Sequence, residues 1–419
     1  MNLPNKSNTS GYIPKNDVIL IYAPVPIYRS KEKIYVEAQA LNGLRLWAKN
    51  FSKVIAMFPE AGAAPPAGWC AARPGEGDLD RVRIEALPTA YRPDQFAWSF
   101  LGTRRRIARL IDEAQYLNFA IGGLFGDWGA VACLVARARR RPYAVWTDRV
   151  ESEVVRRSAR SGPVRERLRA SLYHRPMAML ERLVIRRASL GLFHGRSTFE
   201  AYAPYCRQPQ VVHDIHISLQ DHIPRELLCR KLETARCGPL KIIYVGRAHP
   251  MKGPLDWLSV LSGVHARGVD FQASWLGDGP ELTAMRSKLD RLEIRNKVVL
   301  SGFVSSRERI LSALREAHIF LFCHKTPESP RSPIEALISG AVLVGYDGAF
   351  VRDITQINKS GLFHPIDDIF STIESIAELA KNREMLSDQI KKAKKDGEYF
   401  HDIGVFRHRS DLIREFLPY

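Results

Sequence analysis

Short apolar runs alternate with longer amphipathic stretches along the whole chain. In the first half, runs rich in β-branched residues predict strands at 18–23, 53–58, 81–87, 144–146, 190–193 and 210–213. Helical periodicity appears between some of them, at 35–50, 132–139 and 179–188. In the second half the predicted strands are 241–246, 271–277, 297–302, 318–324 and 341–346. This alternation is typical of βαβ units and a parallel sheet.

The chain is long for a single domain. It has 419 residues, and one hydrophobic core rarely serves so many. The stretch 224–240 places Pro224, Gly238 and Pro239 around a charged segment, which indicates a linker. We therefore expect an α/β fold of two doubly wound, Rossmann-like domains, 1–230 and 231–397, with a ligand-binding cleft between them.

Composition excludes several classes of protein. A hydrophobic share of 45% and a charged share of 26% are ordinary for a globular chain, so disorder, collagen and coiled coil do not describe it. No apolar run approaches the ~20 residues that span a bilayer, and the N-terminal residues lack the apolar stretch of a signal peptide. The six cysteines form no Cys-x-x-Cys pair, so we expect a cytoplasmic protein without a zinc knuckle or disulfide framework.

The positive charge is concentrated in the first half. The formal net charge is +17, of which residues 1–239 carry 37 basic against 22 acidic residues. Residues 101–200 alone hold 20 basic and 9 acidic residues. Such a field attracts nucleic acid, an anionic membrane surface or a phosphorylated substrate. A solvated arginine-rich surface without a specific partner accounts for the composition equally well.

Three strand-to-helix junctions in the second half carry candidate binding groups. The first is GRAHPMKG at 246–253, where Gly246 permits a tight turn and Pro254 opens a helix. Arg247 and Lys252 can meet one anion beside that helix N-terminus, which suits a diphosphate. The second is WLGDGPEL at 275–282, where Gly277 and Gly279 bring backbone close to a ligand and Pro280 opens the next helix. Ligand-free surface loops remain the alternative for both.

The third junction follows the predicted strand 318–324. Ser332, Pro333 and Glu335 have the spacing of a capping box that starts a helix. Arg331 and the preceding loop would then lie at a helix N-terminus, where phosphate or a sugar hydroxyl binds. Capping alone is a sufficient explanation for Glu335, whereas Glu328, between Pro327 and Pro330, stabilises no obvious element.

Together these segments resemble the nucleotide-sugar-dependent glycosyltransferases of the GT-B fold, and most of all glycosyltransferase family 4. The resemblance lies in VGRAHPMKG, WLGDGPEL, VVLSGFV at 298–304 and ESPRSPIEALISGAVLVGYD at 328–347. It implies that Arg247 and Lys252 bind the donor diphosphate. Backbone around Phe303 and Val304 would border the base.

The resemblance also assigns the two glutamates. It implies that Glu335 holds the ribose and that Glu328 contacts the donor sugar. The two are seven residues apart, one fewer than is usual in the family, so the equivalence of Glu328 is open. The resemblance further implies retaining, metal-independent transfer without a cofactor, and a terminal helix within 398–419 that returns to the first domain.

The first half departs from the family pattern. The segments LNFAIGGLFGDWG and VWTDRVESE contain no histidine, which removes the usual catalytic candidate. Asp127, after three glycines, and Asp148, after a short strand, are the carboxylates best placed to act, with helix capping as the alternative. His213, Asp214 and His216 are spaced as metal ligands, but no further ligands follow at metal-site spacing, so we assign no metal.

We therefore expect a sugar transferase that uses a nucleotide-sugar donor and a phosphorylated, lipid-linked or saccharide acceptor in envelope polysaccharide synthesis. The arginine-rich first half would face an anionic inner-membrane surface. The rival readings are a nucleotide-sugar epimerase of the same fold, a polyanion-binding protein and a non-catalytic scaffold. Nucleic acid is the weaker partner, because no recognisable nucleic-acid-binding module is present.

Overall fold

The computed structural model describes residues 17–30, 33–66, 69–158, 164–326 and 330–417. These residues form two compact units. Unit 1 contains the described residues up to His216 together with those from Asp402 onward, and unit 2 is Ile217–His401. None of the described helices combines the length and apolarity needed to cross a bilayer.

Unit 1 is built on one mainly parallel sheet. Its strands are β1 (Val18–Tyr22), β2 (Ile27–Ser30), β3 (Lys33–Glu37), β4 (Lys53–Ala61), β5 (Trp69–Ala72), β6 (Val82–Pro88), β7 (Tyr116–Ala120), β8 (Ala144–Thr147), β9 (Leu190–His194) and β10 (Pro209–Val212). Their order is β10-β9-β8-β7-β1-β4-β2-β3-β5, and β6 pairs with β4. The pairs β2–β3 and β3–β5 are antiparallel.

Helices cover both faces of this sheet. They are α1 (Ala38–Asn50), α2 (Pro93–Glu113), α3 (Trp128–Ala138), α4 (Glu151–Ser158), α5 (Val164–Arg187) and α6 (Gly195–Tyr202). One core joins α2, α3 and α5 to the sheet through buried residues such as Ile107, Trp128 and Ile185. The opposite core contains Trp47 of α1 against Ile19 and Val54. Burial on both faces explains why the central strands are continuously apolar.

Unit 2 holds a fully parallel sheet. Its strands are β11 (Leu240–Val245), β12 (Phe271–Leu276), β13 (Val298–Gly302), β14 (Ile319–Phe322), β15 (Val342–Tyr346) and β16 (Leu362–His364), in the order β13-β12-β11-β14-β15-β16. Its helices are α7 (Arg225–Arg236), α8 (Pro254–Ala266), α9 (Leu282–Leu289), α10 (Arg307–Glu316), α11 (Arg331–Ile338), α12 (Ala349–Thr355), α13 (Ile369–Lys381) and α14 (Arg383–Gly397). Tyr244, Trp257 and Trp275 are fully buried, and the Tyr244 and Trp275 ring centroids are 4.0 Å apart.

The last helix, α15 (Asp402–Phe416), belongs to unit 1. Its Phe406 ring packs edge-on against Trp47, with centroids 5.2 Å apart. Its Arg414 donates to the carboxylate of Asp17, which is 1% exposed, with Nη2 and Oδ2 2.6 Å apart. The C-terminal segment therefore closes the same core that α1 covers.

The predicted α/β fold with two Rossmann-like sheets is confirmed. The division falls after His216 rather than after residue 230, because the presumed linker 224–240 contains α7. Lys231 of this helix is 3% exposed and donates to the carbonyls of Leu314 and Ser339. That buried anchor makes α7 an integral part of unit 2.

Candidate functional site

The loops that follow β11, β12 and β13 enclose a cavity of about 680 Å³ in unit 2. These loops lie at the C-terminal edge of a parallel sheet, where ligands of doubly wound domains bind. The predicted site residues that line the cavity are Gly246, Arg247, Gly277, Gly279, Phe303 and Val304. The structure thus brings the first two predicted junctions and the residues 303–304 to one place. Lys252, Arg331, Ser332 and Glu335 are not among the residues that line this cavity.

Close backbone approach fixes the shape of this cavity at Gly277. Its φ is 149°, and a Cβ atom added there would lie 1.9 Å from the carbonyl oxygen of Gly246. The Gly277 amide donates to the carbonyl of Gly302 at 2.8 Å. The Ala248 amide donates to the carbonyl of Asp278 at 3.0 Å. Only glycine fits at 277, and it lets the three loops meet.

The loop after β11 leads into α8 through a left-handed residue. Gly253 has φ 60°, and a Cβ atom there would lie 2.2 Å from the carbonyl oxygen of Cys323. Pro254 is the first residue of α8, as predicted. Lys252 ends a short 3₁₀ turn, Pro250–Lys252, that is capped by His249. By contrast, α9 begins at Leu282 and not at Pro280, because Pro280 and Glu281 form the turn before it.

The two predicted diphosphate-binding cations both lie in this loop. Arg247 is exposed and lines the cavity, and no described carboxylate pairs with its guanidinium. Lys252 is partly buried. The pKa of His324 is lowered to about 3, mainly by burial and to a lesser extent by the positive charge of Lys252. An unneutralised guanidinium in a concave site is available to an anionic ligand.

His324 and Tyr244 support the loop from below, and the sequence did not reveal them. The Tyr244 hydroxyl and His324 Nε2 are 2.8 Å apart. A Cβ atom at Gly246 would lie 2.8 Å from that hydroxyl. His324 is neutral at physiological pH because of its lowered pKa. The only sequence signal was its position directly after an apolar strand.

Glu335 occupies a buried position that the capping-box prediction did not anticipate. Helix α11 begins at Arg331, with Pro330 as its N-cap and no side-chain cap. The predicted N-cap role of Ser332 is therefore wrong, because extended Pro330 already sets the helix start and Ser332 is the second helical residue. Arg331 is exposed at the first helical position. The other predicted residue, Glu328, lies outside the described residues.

The Glu335 carboxylate is held by an arginine from another helix. Glu335 is 8% exposed, and its Oε1 accepts from Nη1 of Arg307 at 2.7 Å. Nη2 of Arg307 donates to Oδ2 of Asp221 at 2.9 Å. Burial lowers the pKa of Arg307, but the hydrogen bonds to Asp221 and Glu335 outweigh it, and the net shift is upward. The Arg307 guanidinium therefore orients the buried carboxylate of Glu335. The helix that carries Glu335 follows β14, the strand next to β11 in the sheet.

In unit 1, titratable residues lie at the C-terminal ends of four adjacent strands. Asp127, Asp148, His194 and His213 follow or end β7, β8, β9 and β10, which are neighbours in the sheet. The C-terminal ends of parallel strands share one edge of the sheet. This edge is therefore the candidate reactive edge of unit 1.

Asp127 is the N-cap of α3, the alternative considered from its sequence. Its Oδ1 accepts from the Ala130 amide at 3.0 Å, and its Oδ2 accepts from the amides of Gly122 and Gly123 at 3.0 and 3.1 Å. Burial raises the pKa of Asp127, and these amides oppose that shift. The carboxylate fixes the glycine-rich loop, and Asp127 is only 8% exposed.

Asp148 is open to solvent and has a histidine beside it. Its side chain is 57% exposed, and its Oδ1 lies 3.8 Å from Nε2 of His194. Nδ1 of His194 accepts from the Asp214 amide at 2.8 Å, which leaves Nε2 as the protonated nitrogen of the neutral ring. Burial lowers the pKa of His194, and Asp148 opposes this. The sequence did not single out His194, although it is the last residue of an apolar strand. His213, which the sequence did single out, directly follows the next strand.

His213, Asp214 and His216 contact protein groups. Asp214 Oδ1 lies 3.3 Å from Nη1 of Arg409 and 3.7 Å from Nε2 of His216. Among the residues that the structure describes, no three His, Cys, Asp or Glu side chains gather as metal ligands. Arg409, which is 4% exposed and comes from α15, is the main partner of Asp214.

Comparison with known proteins gives this geometry a context. Residues 230–396 match the family of glycosyl transferases group 1. The chain is 24% identical over 154 residues to 2-deoxystreptamine N-acetyl-D-glucosaminyltransferase of Niallia circulans, covering 37% of this chain and 39% of the relative. It is also 24% identical over 184 residues to the putative colanic acid biosynthesis glycosyltransferase WcaL of Salmonella typhimurium, covering 42% and 45%. The chain thus spans less than half the length of these relatives.

Solved structures share the architecture of nearly the whole chain. The structure of Anabaena Alr3699/HepE in complex with UDP aligns with a TM-score of 0.63 at 11% identity, covering 94% of this chain and 98% of that one. Sucrose-phosphate synthase from Thermosynechococcus elongatus aligns with a TM-score of 0.61 at 13% identity, covering 95% and 98%. The protein therefore has the fold of the GT-B glycosyltransferases, and its residues 230–396 match the group 1 glycosyl transferases.

Proposed function

We propose that this protein transfers a sugar from a nucleoside diphosphate sugar to a phosphorylated, lipid-linked or saccharide acceptor. The observation that carries the proposal is the cavity of unit 2. The glycine-containing loops after β11 and β12 line this cavity together with Arg247, and all of them lie in the segment that matches the transferases. As the glycosidic bond breaks, negative charge grows on the diphosphate, and Arg247, Lys252 and the start of α8 stabilise it.

The remaining donor contacts in this proposal come from the same cavity and from the segment 328–335. Phe303 and Val304 line the cavity and border the base. Glu335 accepts from the ribose hydroxyls, while Arg331 and Glu328 serve the sugar. Retention at the anomeric carbon and independence from metal are parts of this proposal. UDP is the first nucleotide to test, because HepE was solved with it.

The acceptor belongs to unit 1 in this proposal. Asp148, exposed and beside His194, is the carboxylate best able to reach an acceptor hydroxyl, and Asp127 fixes the neighbouring loop. The match to WcaL supports a role in envelope polysaccharide synthesis. The proposal places the enzyme in the cytoplasm, at the inner membrane where the acceptor is lipid-linked.

A nucleotide screen tests the donor assignment directly. We expect one of UDP, GDP or ADP to raise the melting temperature, because a ligand at ~100 times its Kd stabilises by ~2.7 kcal/mol. Turnover of the matching sugar nucleotide with candidate acceptors should release nucleoside diphosphate and a glycosylated product. Interconversion of the sugar nucleotide would instead indicate an epimerase. Absence of nucleotide binding, together with salt-steep polyanion binding, would reject the proposal.

Arg307→Met should weaken nucleotide binding about tenfold without abolishing it. Glu335 would lose the guanidinium that orients its carboxylate, and with it the geometry for the ribose hydroxyls. Calorimetric titration with the nucleotide identified by the screen measures this effect. Asp221→Asn is the matched control, because it leaves the Arg307–Glu335 contact in place and should keep the affinity. If Arg307→Met bound the nucleotide as tightly as the parent protein does, the assignment of Glu335 to the nucleotide site would be wrong.

A further inference from the structure

The outer surface of unit 1 carries an apolar stripe along α5. Leu168, Leu172, Met179 and Leu183 are 64%, 63%, 70% and 41% exposed. Their spacings of four, seven and four residues place them on one side of the helix. Water-facing aliphatic side chains in a row are uncommon on a soluble surface and mark an interaction site.

Helix α2, on the other side of α3, carries a similar pattern. On α2, Trp98 is 91% exposed and Leu101 is 61% exposed, and Arg105 and Arg109 follow on the same side. Helices α2, α3 and α5 pack on one face of the sheet through a shared core. Phe125 connects them, since its ring lies 6.0 Å from Phe96 of α2 and 5.7 Å from Tyr173 of α5. We call the exposed side of these three helices the outer face.

The three helices of the outer face carry an excess of positive charge. Together α2, α3 and α5 contain twelve arginines and five acidic residues, Asp94, Asp112, Glu113, Glu166 and Glu181. Glu181 is 4% exposed and accepts from the amide and hydroxyl of Ser152. Arg106 of α2 forms an ion pair with Glu85 of β6. Arginines still outnumber carboxylates on the three helices by more than two to one, which favours an anionic partner.

A basic pocket lies at the end of the apolar stripe. Arg186, Arg187 and Arg207, with Tyr205, line a cavity of about 340 Å³. The guanidinium of Arg182 lies 5.1 Å from the Tyr205 ring centroid, which joins the pocket to the stripe. Within the described part of the chain, no carboxylate forms an ion pair with the three pocket arginines. Their arrangement suits a phosphate group.

We propose that the outer face docks on an anionic lipid bilayer, with a phospholipid headgroup in the pocket of Arg186, Arg187 and Arg207. Leu172, Met179 and Trp98 enter the boundary between headgroups and acyl chains while the arginines meet the phosphates. Nucleic acid fits less well, because it offers no apolar layer for the stripe to enter. This inference rests on the proposed function, which places the enzyme at the inner membrane, and deepens it by naming the surface and the headgroup site that make the contact. The outer face takes no part in donor binding.

Vesicle flotation tests the docking. The full chain should bind phosphatidylcholine vesicles that contain about 25 mol% phosphatidylglycerol, and it should bind pure phosphatidylcholine at least about tenfold more weakly. Leu172→Glu with Met179→Glu should reduce binding to the anionic vesicles about tenfold. Arg186→Gln with Arg207→Gln should reduce it by a smaller factor and flatten its salt dependence.

Val299→Glu with Phe370→Glu is the matched control. These unit 2 residues are 60% and 64% exposed, so the control changes the same apolar exposure and charge elsewhere and should bind as the parent does. Unchanged vesicle binding by the Leu172/Met179 variant overturns the proposal. So does a dimer in solution that this variant dissociates, or tighter binding to RNA than to anionic vesicles. Nucleotide binding by each variant, measured separately, tells a failed surface from a failed donor site.

Discussion

Replacing Arg247 by alanine is expected to lower kcat/KM for the sugar-nucleotide donor by about 10²–10³-fold. The guanidinium lines the cavity beside the glycine loops and has no described carboxylate partner, so its charge is available to the departing diphosphate. Loss of one preorganised donor to a developing negative charge typically costs this much. Lys252→Ala should reduce turnover by a similar factor. Release of nucleoside diphosphate at subsaturating donor measures both effects.

The folded state should survive these two substitutions. Arg247 is exposed and Lys252 is partly exposed, so neither removal opens a cavity in the core. Arg291→Ala is the matched control, because Arg291 is an exposed unit 2 arginine outside the cavity. Its turnover and all three melting temperatures should equal those of the parent. Parent-like turnover in both Arg247→Ala and Lys252→Ala would refute the diphosphate assignment.

The succession of most strands and helices along the chain could be predicted from the sequence, because buried parallel strands are apolar throughout. Strands such as β11 and β15 match their predicted runs within one residue. The short antiparallel strands β2, β3 and β5 were not predicted. Residues 35–37 of β3 run directly into α1 without a glycine or proline between them, so the periodicity predicted one helix; the boundary is marked only by Glu37, the N-cap of α1. β7 was also missed, since Asn118 interrupts its apolar run.

The site was only partly accessible for a different reason. Glycine loops reveal themselves locally, and Gly246, Gly277 and Gly279 do line one cavity. Side chains positioned by distant partners give no local signal. Glu335 has the spacing of a capping residue, yet its partner Arg307 lies 28 residues away. Asp214 has the spacing of a metal ligand, yet it meets Arg409, 195 residues away. Such pairings are set by the topology of the sheet.

Arg414→Met is expected to destabilise unit 1 by about 3 kcal/mol at neutral pH. Asp17 is 1% exposed, and Arg414 donates to its Oδ2 from both Nε and Nη2. Removal of one partner leaves a buried carboxylate without a compensating charge, which is more costly than loss of the contact itself. Arg407→Met is the matched control on the same helix, because Arg407 is exposed, and it should leave the free energy of unfolding unchanged.

The effect should depend on pH in a direction that the Asp17 carboxyl fixes. Burial raises the pKa of Asp17, and the hydrogen bond and charge of Arg414 oppose this, so the variant's pKa rises further. An acid whose folded pKa exceeds its unfolded pKa binds protons more readily when folded, and stability falls as pH rises between the two values. The loss in Arg414→Met should therefore be full at pH 7.5 and shrink toward about pH 4. Denaturant unfolding across this range measures this loss.

The double variant Asp17→Asn with Arg414→Met should recover part of the stability, because no buried charge remains. If the loss in Arg414→Met is instead independent of pH, the packing of Arg414 on Phe51, and not its charge, stabilises α15.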